Sequence, residues 1–322
     1  AYGFVFGDWS SDVCSSDLFD SQTVYFIEGV RNQYVPEEIT SSCLVCGRCQ
    51  EVCPVGIHSD SLRLLKRREL YSGHTSEYSF LASTAGPGDE VAKNRPDVAY
   101  FAGCMSHLTP SIIRAMHHIL QRSGVSFIQL DRDRSICCGR PLKIAGKDRQ
   151  AHELVEINKK LIVKSRAGIL VTSCPICYRV FREEYNLPVR VMHHTQLITD
   201  LIKKGKLPLQ ATFPKAAYHD PCDLGRGSGI YQQPRETLSK VADLVPVDHE
   251  KRDALCCGGS LGMLNASQSQ RDAMTQKALE TLTFHQPDLI VTACPLCKKT
   301  FASGSKTPVA DIAELVSRSI PA

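Results

Sequence analysis

Two stretches of the chain, ILVTSCPICYRVF at residues 169–181 and LIVTACPLCKKTF at residues 289–301, are near copies of one another. The copying extends to every cysteine downstream of residue 100. Cys104, Cys137, Cys138, Cys174 and Cys177 have counterparts in Cys222, Cys256, Cys257, Cys294 and Cys297, at offsets of 118 to 120 residues. Chance does not keep five cysteines in register twice, so the pattern marks a duplicated domain. Whatever fold the chain adopts must present the same five thiols in the same way two times.

The flanking sequence repeats as well. DVAYFAGC and KAAYHDPC each run a short apolar strand into the first cysteine, and SFIQLD and LVPVD read as second strands ahead of the Cys-Cys-Gly loops. ILVTSC and LIVTAC are apolar runs of strand length that end at the Cys-Pro-x-Cys. Between them AHELVEINKKLIVKS and SQRDAMTQKALETLTFH have helical periodicity, and each half closes with one more strand and helix, VRVMHHTQLITDLI and TPVADIAELVSRS. Alternating strands and helices predict an α/β fold with parallel sheets. All ten cysteines then fall at or just beyond strand ends, on the carboxyl edge where open α/β sheets hold their ligands. Pro175 and Pro295 suit a first helical turn, where a missing N–H leaves nothing unpaired. Gly139 and Gly258 are expected in tight turns that bring backbone close to a ligand.

Composition narrows the chemistry. The chain has 322 residues, enough for two or three domains, and a net charge of +4 that is too small to argue for nucleic acid. It shows no apolar run of membrane-spanning length and no export-signal pattern. Fifteen cysteines in clustered spacings then point to metal ligation or redox chemistry rather than disulfides. Thiolate-held metal predicts a reducing cytoplasm, with membrane association only through a partner.

Upstream, SSCLVCGRCQEVCPVGI places Cys43, Cys46, Cys49 and Cys53 in the spacing C-x2-C-x2-C-x3-C-P, a strong signal for an iron–sulfur cubane. In two-cluster ferredoxins the fourth cysteine serves the other cluster. Either Cys53 closes a single cluster here or a further motif is missing upstream. GDWSSDVCSSDL, near the start, has no helical or strand period and resembles a translated sequencing-adapter read. Residues 1–20 are therefore expected to be non-native or disordered, and Cys14 is left out of every site. The expected organisation is a small helical ferredoxin-like module over 21–71, a linker over 72–96, and duplicated domains over 97–205 and 206–322.

Five thiolates from three loops exceed what one tetrahedral zinc ion uses, whereas iron–sulfur clusters accept several soft ligands from distant loops. Four of the five would still satisfy a zinc ion, which stays open for one half. The pattern, with YHDPCDLGR, ALCCGGSLG and TACPLC, resembles the CCG domain of heterodisulfide reductases and related iron–sulfur oxidoreductases across roughly residues 97–322. The resemblance implies two tandem Rossmann-like CCG domains, each able to hold a non-cubane [4Fe–4S] cluster, beside one cubane [4Fe–4S] cluster in the ferredoxin-like module. It implies ligands Cys104, Cys137, Cys138, Cys174 and Cys177 in the first domain. In the second it implies Cys222, Cys256, Cys257, Cys294 and Cys297, which are expected to carry the terminal redox chemistry.

The reading that follows is an iron–sulfur electron-transfer oxidoreductase subunit resembling the D-type subunit of heterodisulfide reductase, passing single electrons to a site that reduces a disulfide. A second reading is the relay subunit of a flavin-dependent glycolate, lactate or glycerol-3-phosphate dehydrogenase; a third is a zinc-binding structural module. No nicotinamide or flavin fingerprint is visible, and GRGSGI at 225–230 follows a cysteine loop rather than opening a Rossmann unit. Electrons must then come from a partner subunit: a flavoprotein, a cytochrome or another iron–sulfur protein. His219 and Asp220 are expected either to move a proton or to form a hydrogen-bonded loop pair. His117 and His118 read as helix packing, and His193 and Asp311 as helix caps. Arg140, Lys143 and Arg226 are expected at the solvated surface, with an anionic site as the alternative.

Overall fold

The computed structural model of the protein describes residues 37–41, 43–51, 58–71, 95–132, 136–210, 214–259 and 267–321. Residues 1–20 with Cys14, the fourth motif cysteine Cys53, and nearly all of the expected linker lie outside the described residues.

The described residues begin with three helices, α1 (Glu37–Ser41), α2 (Arg48–Glu51) and α3 (Ser59–Tyr71). The first half then runs β1 (Val98–Phe101), α4 (Cys104–His107), α5 (Pro110–Arg122), β2 (Phe127–Gln129), α6 (Arg140–Ile144), α7 (Asp148–Lys164), β3 (Ile169–Thr172), α8 (Pro175–Glu183), β4 (Arg190–His193) and α9 (His194–Lys203). The second half runs β5 (Lys215–His219), α10 (Gln232–Leu238), β6 (Asp243–Leu244), a 3-10 turn at Lys251–Asp253, α11 (Gln268–Thr283), β7 (Leu289–Thr292), α12 (Pro295–Gly304), β8 (Val309–Asp311) and α13 (Ile312–Arg318). Two parallel four-stranded sheets result, ordered β2-β1-β3-β4 and β6-β5-β7-β8. The α/β expectation holds in both halves.

One expected strand is displaced. LVPVD contributes only Leu244 to β6, a strand of two residues. Val245 N still reaches Ala216 O at 3.0 Å, but Pro246 has no N–H to offer and the ladder stops there.

Strand order positions the site. In each sheet the chain reverses direction of travel between the first and third strands, and the crevice beyond their carboxyl ends is where such sheets bind ligands. Registers Phe101↔Thr172 and His219↔Thr292 bring those ends level. Cys104 and Cys174 therefore straddle one crevice, and Cys222 and Cys294 the other.

The halves share one core. Val98, Ile119 and Val171 of the first pack in the same buried cluster as Tyr218, Val291 and Leu315 of the second. Helices α5 and α13 lie against each other, with His118 Nδ1 2.8 Å from Ser317 Oγ and Arg122 donating to Pro321 O at 2.6 Å. Lys298 reaches across to Ser111 Oγ at 2.8 Å while pairing with Glu314 at 2.6 Å. Asp311 caps α13 as expected, its Oδ1 accepting from Ala313 N at 2.9 Å. At the equivalent position His193 lends α9 its backbone, donating its N–H to Gln196 Oε1 at 3.0 Å, while its ring meets Thr195 Oγ1.

Candidate metal centres

Each half gathers its five thiols through three devices. The first is the helix start: Cys174 and Cys294 are the extended N-cap residues of α8 and α12, and Pro175 and Pro295 fill the first turn, as their sequence position predicts. One turn on, Cys177 and Cys297 face the same crevice.

The second device is the Cys-Cys-Gly turn. Gly139 and Gly258 adopt φ of 91° and 77°. The reason for glycine is closer than a ligand: a Cβ at Gly258 would sit 2.9 Å from Arg271 O, and one at Gly139 would sit 3.3 Å from Ala151 O. The turn is pressed against α7 in the first half and α11 in the second, which bond back to it, joined in the first half by Tyr185 just beyond α8. Asn158 Nδ2 donates to Cys137 O at 2.8 Å, Tyr185 OH to Cys138 O at 3.1 Å, and Thr275 Oγ1 to Cys257 O at 3.0 Å. Gly258→Ala is expected to cost about 2 kcal/mol from left-handed strain before any clash. Gly124→Ala, at φ 66° with open space around its Cβ, carries the strain alone. Thermal denaturation of the two variants should rank Gly258→Ala as the more damaging.

The third device holds the loop after the first strand, and it differs between the halves. In the first, the buried carboxylate of Asp131 accepts from Ala102 N at 3.1 Å and Gly103 N at 2.7 Å, and lies 3.1 Å from His107 Nε2. In the second, Asp220 takes both arms of Arg235 at 2.7 and 2.8 Å and the N–H of Lys251 at 2.8 Å. His219 Nε2 bonds Leu255 O at 3.1 Å, and burial lowers its pKa. His219 and Asp220 thus form hydrogen bonds that fix the loop.

The hydrogen bond to Asp131 raises the His107 pKa above 6.5. Protonated His107 therefore stabilises the fold fully below about pH 6.5, and that contribution fades as pH rises through the higher folded value. Denaturant titrations across that range should show the loss, and His107→Gln should remove this part of the pH dependence.

Within each half the thiols touch in a chain. Cys104 contacts Cys137, Cys137 contacts Cys138, Cys138 contacts Cys177, and Cys177 contacts Cys174. The second half repeats it as Cys222, Cys256, Cys257, Cys297 and Cys294. The middle thiol receives from both sides: Cys137 and Cys177 pull the pKa of Cys138 well down, as Cys256 and Cys297 do for Cys257, while bonding to their neighbours pushes Cys137, Cys177, Cys256 and Cys297 up. Among the described residues no three His, Cys, Asp or Glu side chains surround a common point closely enough for one metal ion. Five linked thiols fed by three loops fit a polynuclear group held by several soft ligands. The two sets are neighbours, since Cys174 feels the charge of Cys294, and Met105 and Ile176 of the first half pack against Cys257 and Cys297 of the second.

The amino-terminal motif docks beside the second set. Cys46 is in contact with Cys256, and that bond, with help from Arg226 and against burial, holds Cys46 down to about 5. Leu44 and Cys46 pack with Cys256 and Met274. Cys49 Sγ lies 2.8 Å from Ser59 Oγ at the start of α3, and burial raises its pKa. Cys53 lies outside the described residues. Arg48 pairs with Asp253 at 2.6 Å.

Of the three cations expected at the surface, Arg140 is buried and Lys143 and Arg226 are half-buried. Arg140 lies 4.0 Å from Glu184, with Lys143 2.8 Å from the same carboxylate. Arg226 is enclosed by backbone carbonyls and thiols. Glu184 holds Lys143, while Arg140 also acts on Cys138 and Arg226 on Cys46. The roles of Asp131, Arg235 and Arg48 were not read from the sequence; the Asp closing both SFIQLD and LVPVD was the available hint for the first of them.

A narrow cleft opens on the second set, lined by Leu44, Ile176, Pro221, Asp223, Leu296 and the thiols. Among the described residues no helix is long and apolar enough to cross a membrane.

Comparison with known proteins agrees with this architecture. The family described as the CCG cysteine-rich domain matches residues 98–182 and again residues 216–302. The D-type subunit of dihydromethanophenazine:CoB–CoM heterodisulfide reductase from Methanosarcina barkeri is 28% identical over 320 residues, covering 86% of this chain and 77% of that protein. The B-type subunit of fumarate reductase (CoM/CoB) from Methanothermobacter marburgensis is 25% identical, over 81% of this chain and 56% of that protein. EtfAB:quinone oxidoreductase from Syntrophomonas wolfei is 29% identical, over 67% of this chain and 33% of its own length. With two matched copies that take up more than half its length, the chain belongs to the CCG cysteine-rich domain family.

Proposed function

We propose that the chain is the iron–sulfur electron-transfer subunit of an oxidoreductase. Cys43, Cys46, Cys49 and Cys53 would hold a cubane cluster, and the five thiols of each half would hold a further cluster. Clusters of this kind supply single-electron transfer when bound. The observation that carries the reading is the contact of Cys46 with Cys256, which joins the motif to a five-thiol set without intervening protein.

The second set is the terminal site in this reading, because the cleft opens onto it. Leu44, Ile176 and Leu296 give the cleft apolar walls that limit water, and Asp223 lines it too, 3.9 Å from Cys222 Sγ and 3.5 Å from Arg179 Nη1. In this reading the substrate is a disulfide. Its reduction takes two electrons and two protons, breaks one S–S bond and releases two thiols. A relay reading, with electrons passed on toward a quinone, is favoured by the similarity to EtfAB:quinone oxidoreductase. In either case the partner is another redox subunit that supplies or takes the electrons.

Anaerobically purified protein is expected to contain iron and acid-labile sulfide in both halves, and stopped-flow oxidation of the reduced protein by an organic disulfide separates the two readings. Zinc without iron in both halves would end the proposal.

A further inference from the structure

The two halves carry matching thiols, but a further difference lies beside them. Four residues after its first cysteine the first half has Leu108, 58% exposed. At the equivalent place the second half has Arg226, whose guanidinium lies between the amino-terminal motif and the Cys-Cys-Gly loop. Its Nε donates to Cys46 O at 3.0 Å, and its Nη1 donates to Arg252 O at 2.8 Å and Ala254 O at 2.7 Å. Its Nη2 is buried with no hydrogen-bond partner among the described residues. The Cys46 thiol, held low, is the anion nearest in effect, and Cys222 and Cys256 stand beside it. A buried guanidinium with an idle donor is unfavourable unless anionic charge stands beside it. Here the Cys46 thiolate is the anion at hand.

We propose that Arg226 is a positioning residue that seats Cys46 on the second five-thiol set and makes that half the point where electrons pass between the motif and the tandem domains. One fork serves both tasks: two of its nitrogens fix the backbone of two loops, and its charge offsets that of the thiols. Lysine could supply the charge but not the fork. The ion pair of Arg48 with Asp253 and the approach of Arg252 to Glu51 at 4.0 Å hold the same joint from its rim. With clusters bound, one electron would be lost by the centre held at Cys43, Cys46, Cys49 and Cys53 and gained by the centre held by the second five-thiol set, with no bond between heavy atoms made or broken. A cation beside the accepting centre favours its reduced, more negative state.

The inference rests on the iron–sulfur reading, so its test measures iron, sulfide and zinc in every sample before redox titration. Arg226→Ala should lower the ratio of reduced to oxidised second-half centre about tenfold at a fixed potential, a shift of about 59 mV for one electron. The first-half centre should not move. Magnetic coupling between the reduced motif centre and the second-half centre should weaken in Arg226→Ala and in Arg226→Lys, and Arg226→Lys should recover much of the potential. If Arg226→Ala sheds its second-half iron, Arg226→Lys decides on coupling alone. Iron retained with potential and coupling unchanged, or an equal shift in both halves, overturns the role of Arg226. Zinc alone in the second half of the unaltered protein overturns the iron–sulfur reading and this inference with it.

Discussion

Cys257→Ala is expected to empty the second half of iron and acid-labile sulfide and to abolish turnover with a redox partner, while the first-half centre keeps its signal. Cys257 is the middle of its thiol chain, in contact with Cys256 on one side and Cys297 on the other, and it is the thiol those neighbours bias most strongly toward thiolate. Its loss separates Cys222 and Cys256 from Cys297 and Cys294. Removing Cys222, at the end of the chain, leaves four connected thiols and should be milder. Cys138→Ala should act in the same way on the first half, since Cys138 has the equivalent contacts with Cys137 and Cys177. Elemental analysis with low-temperature spectroscopy on the variants checks this. A Cys257→Ala protein that keeps its full iron and sulfide would show that the thiol chain is not the ligand set. Loss of both CCG centres together would show instead that the shared core, into which both halves pack, couples their folding to their metal load.

The fold was legible because its signals are local. ILVTSC and LIVTAC declare buried strands by composition, and Pro175 and Pro295 declare the helices that follow. Duplication then doubled every local reading. The donor set was legible for the same reason, although thiol contact between loops was an expectation until the strand registers put those loops side by side. What could not be read were partners far apart in sequence. Nothing near GRGSGI says that Arg226 will find the carbonyl of Cys46, and nothing near Cys46 says it will meet Cys256. Charge was misjudged on that account. A basic residue looks solvated by default, and buried thiols are not counted as anions when a sequence is scanned for acidic partners.

Arg67→Leu is the second change with a large expected effect, and it acts on the amino-terminal motif rather than on a CCG loop. In the sequence Lys66-Arg67-Arg68 is merely a short basic run, yet the three side chains do unrelated things. Lys66 forms a half-exposed pair with Glu69 at 2.7 Å, and Arg68 reaches Asp148 of the first half at 2.8 Å. Arg67 is fully buried, with Nε donating to Thr40 O at 2.9 Å and Nη2 to Ser41 O at 3.2 Å and Cys43 O at 2.7 Å. It thereby ties the end of α1 and the first motif cysteine to α3, whose own backbone is pressed against the first half: a Cβ at Gly146 would meet Arg67 O at 2.8 Å. Leucine removes three hydrogen bonds made by a charged donor and leaves buried carbonyls without those donors, a loss of about 3 kcal/mol or more. Lysine keeps the charge, but one ammonium cannot reproduce a planar fork spread over three carbonyls, so Arg67→Lys should recover little. The expected phenotype is specific. The motif centre should be lost or labile in Arg67→Leu, with early proteolytic cleavage near residues 41–47, while iron and sulfide in the two CCG sets persist because their loops are held by Asp131, Asp220 and the Cys-Cys-Gly turns. Retention of the motif centre at wild-type stability would mean that Cys43 is held in place by other contacts, and that the buried guanidinium is dispensable to it.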